Sequence, residues 1–154
     1  MRRGLTVTAV LSASLCVLGT VYAHEPDPEL PAGPIRERHE LMEGIGKNAK
    51  IIGDALKAGD QRPVAEAAEK IRNSAGKITA LFPAGTTHPK SRAKPEIWSH
   101  WDKFEHGAKQ LQSDAGALAA AAKSSGDVHA AADTMFGACK SCHDDFRVPE
   151  KKKK

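Results

Sequence analysis

Between residues 34 and 148 the apolar positions recur on alternating steps of three and four. That spacing gathers them on one face of an α-helix and predicts helices with core-facing seams. The first seam is Ile35, Met42, Ile45, Ala49, Ile52 and Leu56, with Arg38 filling one slot. The second is Val64, Ala68, Ile71, Ala75, Ile78 and Phe82. The third runs Ile97, Trp101, Phe104, Ala108, Leu111, Ala115, Leu118 and Ala122, and the fourth Val128, Ala132, Met135, Cys139, Cys142 and Phe146. Turn signals separate them. Pro34, Pro63 and Pro95 open the first three segments, Gly59 follows the first, and Asp127 after Gly126 is an N-cap for the fourth. Only the 83–94 connection is long, and it holds Pro83, Gly85 and Pro89. Four such segments and no strand pattern predict an all-α fold, an antiparallel four-helix bundle over residues 34–148.

The ends of the chain do not share this pattern. Arg2 and Arg3 precede a mostly apolar stretch from Leu5 to Val21, and Val21-Tyr22-Ala23 is a small-residue cleavage site. Residues 1–23 therefore read as a secretory signal, too short in its apolar run for a retained membrane anchor. Cys16 leaves with it. Residues 24–33 hold three prolines and no period, and read as an extended leader. Residues 149–154 form a basic tail ending in Lys151 to Lys154. The net charge of +4 rests on Arg2, Arg3 and those four lysines, so the body between them is −2. Such a body has no basic face for nucleic acid.

The chemistry is concentrated in Cys139-Lys140-Ser141-Cys142-His143. Cys-x-x-Cys-His is the attachment motif of a c-type haem. On a helix, residues three apart share a face, so both thiols can add to the two vinyl groups along one porphyrin edge. The adjacent histidine then offers a neutral imidazole to the iron. Two other readings use the same cysteines: a thioredoxin-like dithiol and half of a zinc site. The first lacks a βαβ unit around it. The second lacks a second cysteine pair at short spacing. A haem-free dithiol or metal-binding bundle stays as the third alternative. The export signal and the haem motif together point to a bacterial periplasm. The alanines Ala115, Ala119 and Ala122 are expected to leave room for a large flat cofactor.

With its haem motif near the C-terminus, in Cys139-Lys140-Ser141-Cys142-His143-Asp144-Asp145-Phe146-Arg147, the chain resembles the class II c-type cytochromes. These are cytochrome c′ and the low-spin cytochromes c-556. Arg38-His39-Glu40-Leu41-Met42, and Leu81-Phe82-Pro83 followed by Lys94-Pro95-Glu96-Ile97-Trp98, agree with it. The resemblance implies one covalent haem c held by Cys139 and Cys142, with His143 as proximal ligand. It implies Met42 as the distal residue, Arg38 towards the haem propionates and Arg147 beside the proximal face. The lysine tail is a departure that the family does not require.

Function then turns on Met42. A thioether bound to iron gives a six-coordinate, low-spin centre suited to single-electron transfer between periplasmic redox proteins. A thioether that only covers iron leaves a five-coordinate site for NO or CO. The resemblance also implies a homodimer through the first helices in some members. No hydrolase triad, phosphate loop or metalloprotease motif is present, so the expectation is an electron carrier or gas-binding protein and not an enzyme.

Overall fold

A computed structural model describes residues 30–124 and 126–149. The signal at 1–23, most of the leader and the tail from residue 150 lie outside the described residues. Helix α1 spans Pro34–Lys57, α2 Val64–Ala75, α3 Glu96–Ser99, α4 Trp101–Lys123 and α5 Val128–Phe146. The bundle is all-α, as the seams predict.

Local chemistry sets the boundaries. Proline stands in the first turn of α1, where its missing N–H costs nothing. Beyond α1 the chain turns at Gly59, whose φ of 69° lies in the left-handed region that glycine enters most easily. The Asp127 side chain accepts the Ala130 N–H at 3.0 Å and caps α5.

Two segments depart from the predicted continuity. The second seam runs to Phe82, yet α2 stops at Ala75 and the chain continues through a 3₁₀ turn at Thr79–Leu81. Ile78 and Phe82 are buried all the same. The third segment breaks at His100, whose backbone at φ −126°, ψ 46° separates the short α3 from α4.

Packing runs in a chain: α1 on α2, α2 on α4, α4 on α5. Ala67 and Ala68 of α2 and Ala115 and Ala119 of α4 are buried. Small side chains let these two helices approach closely, which corrects the expectation that Ala115, Ala119 and Ala122 make room for a cofactor. They lie at least eleven residues beyond Phe104, the α4 residue that reaches the main cavity, or about 16 Å of helix. The cofactor's room comes instead from the bundle's open edge. Helices α1 and α5 touch each other very little, so a gap runs between them.

Candidate cofactor site

That gap is a cavity of about 460 Å³. Protein interiors hold few voids larger than a water molecule, so a space of this size marks a ligand site. Helix α1 contributes Ile35, Arg38, His39 and Met42; α5 contributes Cys142, His143 and Phe146, and Arg147 follows just past its end. Phe82, Ile97 and Phe104 form the apolar floor. Phe104 packs against Phe82 at 4.8 Å between ring centroids and edge-on against Phe146 at 5.5 Å, so the floor is a rigid aromatic cluster.

The structure brings five of the six predicted site residues to this one space: Met42, Arg38, Cys142, His143 and Arg147. Cys139, three residues before Cys142 on α5, is half-buried and does not line it. Cys142 faces α4, where a Cβ built on Gly107 would stand 3.8 Å from its Sγ. On that side it also borders a smaller cavity of about 210 Å³ between α4 and α5.

The electrostatics suit a porphyrin and not a reactive dithiol. Burial, above all, pushes the Cys142 thiol up to about 11 and raises Cys139 as well. Redox-active dithiols need the opposite shift, which makes thiolate available at neutral pH. Among the described residues, no group of three or more His, Cys, Asp or Glu is gathered as a metal site. His143 is exposed as a residue, yet desolvation of its imidazole, then the charges of Arg147 and Arg92, hold it below its ordinary value. A neutral imidazole is the form that binds iron. The set of two adjacent thiols, a neutral imidazole, a thioether across the gap and an apolar floor fits a covalent haem.

Arg38 lines the cavity and is also anchored to the neighbouring loop. It is buried and desolvated, and its guanidinium lies 4.8 Å above the Phe82 ring. Its Nη1 donates to Thr86 Oγ1 at 3.0 Å; its Nη2 donates to the Thr86 carbonyl at 2.8 Å and to Ser91 Oγ at 3.1 Å. The oxygens that compensate the buried charge thus include three from the 83–94 loop.

Three contributors were not visible in the sequence. Leu30, assigned to the leader, is buried against the cavity, and its carbonyl accepts from the Arg36 guanidinium. Arg92 lines the cavity from the long loop. That loop is fastened to the end of α5 by an isolated bridge between Ala93 and Arg147. Lys94 N–H donates to the Phe146 carbonyl at 2.9 Å and Val148 N–H to the Arg92 carbonyl at 2.8 Å. Lys94 Nζ also donates to the Asp144 and Asp145 carbonyls at 3.0 and 2.9 Å. The residues that follow the haem motif are therefore held in place by the loop. Only Leu30, an apolar residue in a polar stretch, carried a signal that could have been read.

Fold and site together define a haem-binding four-helix bundle of the c type. Known proteins place it more narrowly. The family model described as "Cytochrome C'" matches residues 33–147. Cytochrome c′ of Rhodopseudomonas palustris is 32% identical over 140 residues, covering 88% of this chain and 92% of the relative. Cytochrome c-556 of Agrobacterium tumefaciens is 31% identical over 121 residues, covering 76% and 98%. The solved cytochrome c prime of Shewanella frigidimarina superposes with a TM-score of 0.71 at 27% identity, covering 80% of this chain and all of that one. The chain belongs to the cytochrome c′ family. Its cofactor is a covalently bound haem c, as in that family. The family's proteins are periplasmic, and no helix among the described residues is long and apolar enough to cross a membrane.

Proposed function

We propose that this protein is a periplasmic single-electron carrier whose haem is held by Cys139 and Cys142, with His143 as proximal and Met42 as distal ligand. The observation that carries this reading is the placement of Met42 on α1 and His143 on α5, facing one cavity from opposite sides. When bound, the haem supplies an iron that cycles between two oxidation states. The chain's own groups set the conditions for that cycle. A thioether opposite an imidazole favours the reduced iron and raises the potential. Burial of the His143 imidazole, and then the charges of Arg147 and Arg92, favour its neutral form. Arg38 holds the 83–94 loop over the site, and the Phe82–Phe104–Phe146 cluster keeps water from the cavity floor.

A second reading has its own support. A point mutant of cytochrome c prime from Alcaligenes xylosoxidans, at 25% identity, is solved as its nitric oxide complex, and another solved relative is described as having a ligand-controlled dimer dissociation. In this reading Met42 covers the iron without binding it, and the open position takes NO or CO.

An optical spectrum of the purified protein, oxidised, reduced, and reduced under CO, separates the two. The carrier reading expects a low-spin spectrum in both states, a weak near-infrared sulfur-to-iron charge-transfer band, and slow or no change under CO. A high-spin spectrum with rapid CO uptake would replace it with the gas-binding reading.

A further inference from the structure

Met42 on α1 and His143 on α5 face one cavity, yet α1 and α5 touch each other very little. Direct packing between the two helices therefore does not fix their separation. The 83–94 loop reaches both of them, by side-chain and main-chain hydrogen bonds at each end.

On the α1 side the link is a side-chain one. Arg38 Nη2 donates to Ser91 Oγ at 3.1 Å, beside its two bonds to Thr86. The same Ser91 oxygen accepts the Ala93 N–H at 3.3 Å. Ser91 is itself held by its own N–H, which donates to the His88 carbonyl at 2.8 Å. Ala93 then forms the isolated bridge to Arg147, just past α5. One hydroxyl oxygen is thus the node between the α1 clamp and the segment that meets α5.

On the α5 side the link is to the helix end. The last carbonyls of a helix lack partners within it. In α5 the His143 carbonyl accepts the Arg147 N–H at 3.0 Å. Lys94 takes the next three. Its N–H donates to the Phe146 carbonyl, and its ammonium to the Asp144 and Asp145 carbonyls at 3.0 and 2.9 Å. The helix dipole favours a cation in that place. Lys94 does not itself line the main cavity. Its influence on the iron therefore passes through the last turn of α5, which carries His143.

We propose that the 83–94 loop is a strap that sets the separation of α1 and α5, with Lys94 as positioning residue for His143 and Ser91 as the node that passes the constraint to Arg38 and α1. In the carrier reading, on which this rests, the strap keeps the Met42 sulfur within reach of the iron. Cutting it at either end lets α1 move away from α5, and the sulfur spends more time off the iron.

Stopped-flow mixing of the reduced holoprotein with CO reads the gap, because CO binds only while the Met42 sulfur is away from the iron. Lys94→Met keeps the apolar stem and removes the ammonium, and CO should bind about fivefold faster. Ser91→Ala cuts the same strap at its node and should give a similar gain. Lys94→Arg should restore most of the slow binding, since a guanidinium fork reaches both carbonyls. Links in series fail together once either is cut. The double variant Ser91→Ala, Lys94→Met should therefore bind CO little faster than the faster single one. Two controls should leave the rate unchanged whatever they do to Tm. Lys103→Met removes a charge from the Asp145 carboxylate but not from the carbonyls. Leu118→Ala opens the core about 21 Å along α4 from Phe104. An unchanged rate in Lys94→Met, gains that multiply in the double variant, or an equal gain in Leu118→Ala would overturn the strap. Absorption spectra of the same samples report coordination separately. A high-spin wild type whose CO binding is still speeded by Lys94→Met and Ser91→Ala would remove the carrier reading and leave the strap standing.

Discussion

Arg38 and Thr86 stand 48 residues apart in the chain and are joined by two hydrogen bonds, from Nη1 to the threonine hydroxyl at 3.0 Å and from Nη2 to its carbonyl at 2.8 Å. With Ser91 as a third acceptor, α1 is clamped to the loop that covers the cavity. The guanidinium is charged at every pH at which the protein folds, and its planar fork reaches three oxygens at once. Arg38→Ala should therefore cost about 3 kcal/mol and lower Tm by about 10 °C. Arg38→Lys should lose most of the same stability, because one ammonium cannot satisfy the three oxygens. Thermal melts of the holoproteins check both, and a lysine variant that melts like the wild type would mean that only the charge matters there.

The gap itself predicts how the protein behaves without its cofactor. Without the cofactor, the apolar side chains of Ile35, Phe82, Ile97 and Phe104 that line the gap lose the group that would cover them and face water instead. Chain produced without haem-attachment machinery should accordingly show reduced helicity by circular dichroism and no sharp melt. Near-native helicity with a cooperative transition would show that α1 and α5 close the gap by themselves.

How much of this was legible in the sequence depended on what each signal reports. Apolar period tracks burial, and Val64, Ala68, Ile71, Ala75, Ile78 and Phe82 are all buried as their spacing demands. It does not track helix continuity, so it ran α2 on through Gly76 into a 3₁₀ turn that keeps Ile78 and Phe82 inside. The break at His100 had no proline or glycine to announce it. It accompanies tertiary contacts: Ile97 is buried, and the Trp98 indole N–H donates to the Phe82 carbonyl at 3.1 Å. At the last turn of α1 the seam named Leu56, whereas Ala55 is the buried residue; a helical face drifts by a residue over so long a helix. The motif residues Cys142 and His143 were plain because covalent chemistry demands that spacing. The partners of Arg38 and the strap from loop 83–94 to α5 were not, because main-chain acceptors look alike in any sequence. Placing Met42 over the cavity needed the family resemblance as well as the seam, since a methionine at an apolar slot is ordinarily a core filler.

Met42→Ala isolates the distal side. Alanine is the best helix former, so α1 should keep its course while the thioether is lost. The carrier reading expects the oxidised protein to turn high-spin and the reduced protein to bind CO at least about tenfold faster, with a lowered reduction potential. Electron paramagnetic resonance and flash photolysis read these directly. An unchanged spin state would show that the Met42 sulfur never reached the iron.

The central claim is that the α1–α5 gap holds one haem between His143 and Met42. An anomalous difference map at the iron edge, from crystals of the periplasmic holoprotein, tests it most directly. The account predicts a single iron peak in the gap, bonded to the His143 imidazole, with the Met42 sulfur on the opposite face and continuous density from Cys139 and Cys142 to the porphyrin edge. A Cys139–Cys142 disulfide with no iron, or an iron peak whose distal side is open beside an unbound Met42, would contradict it.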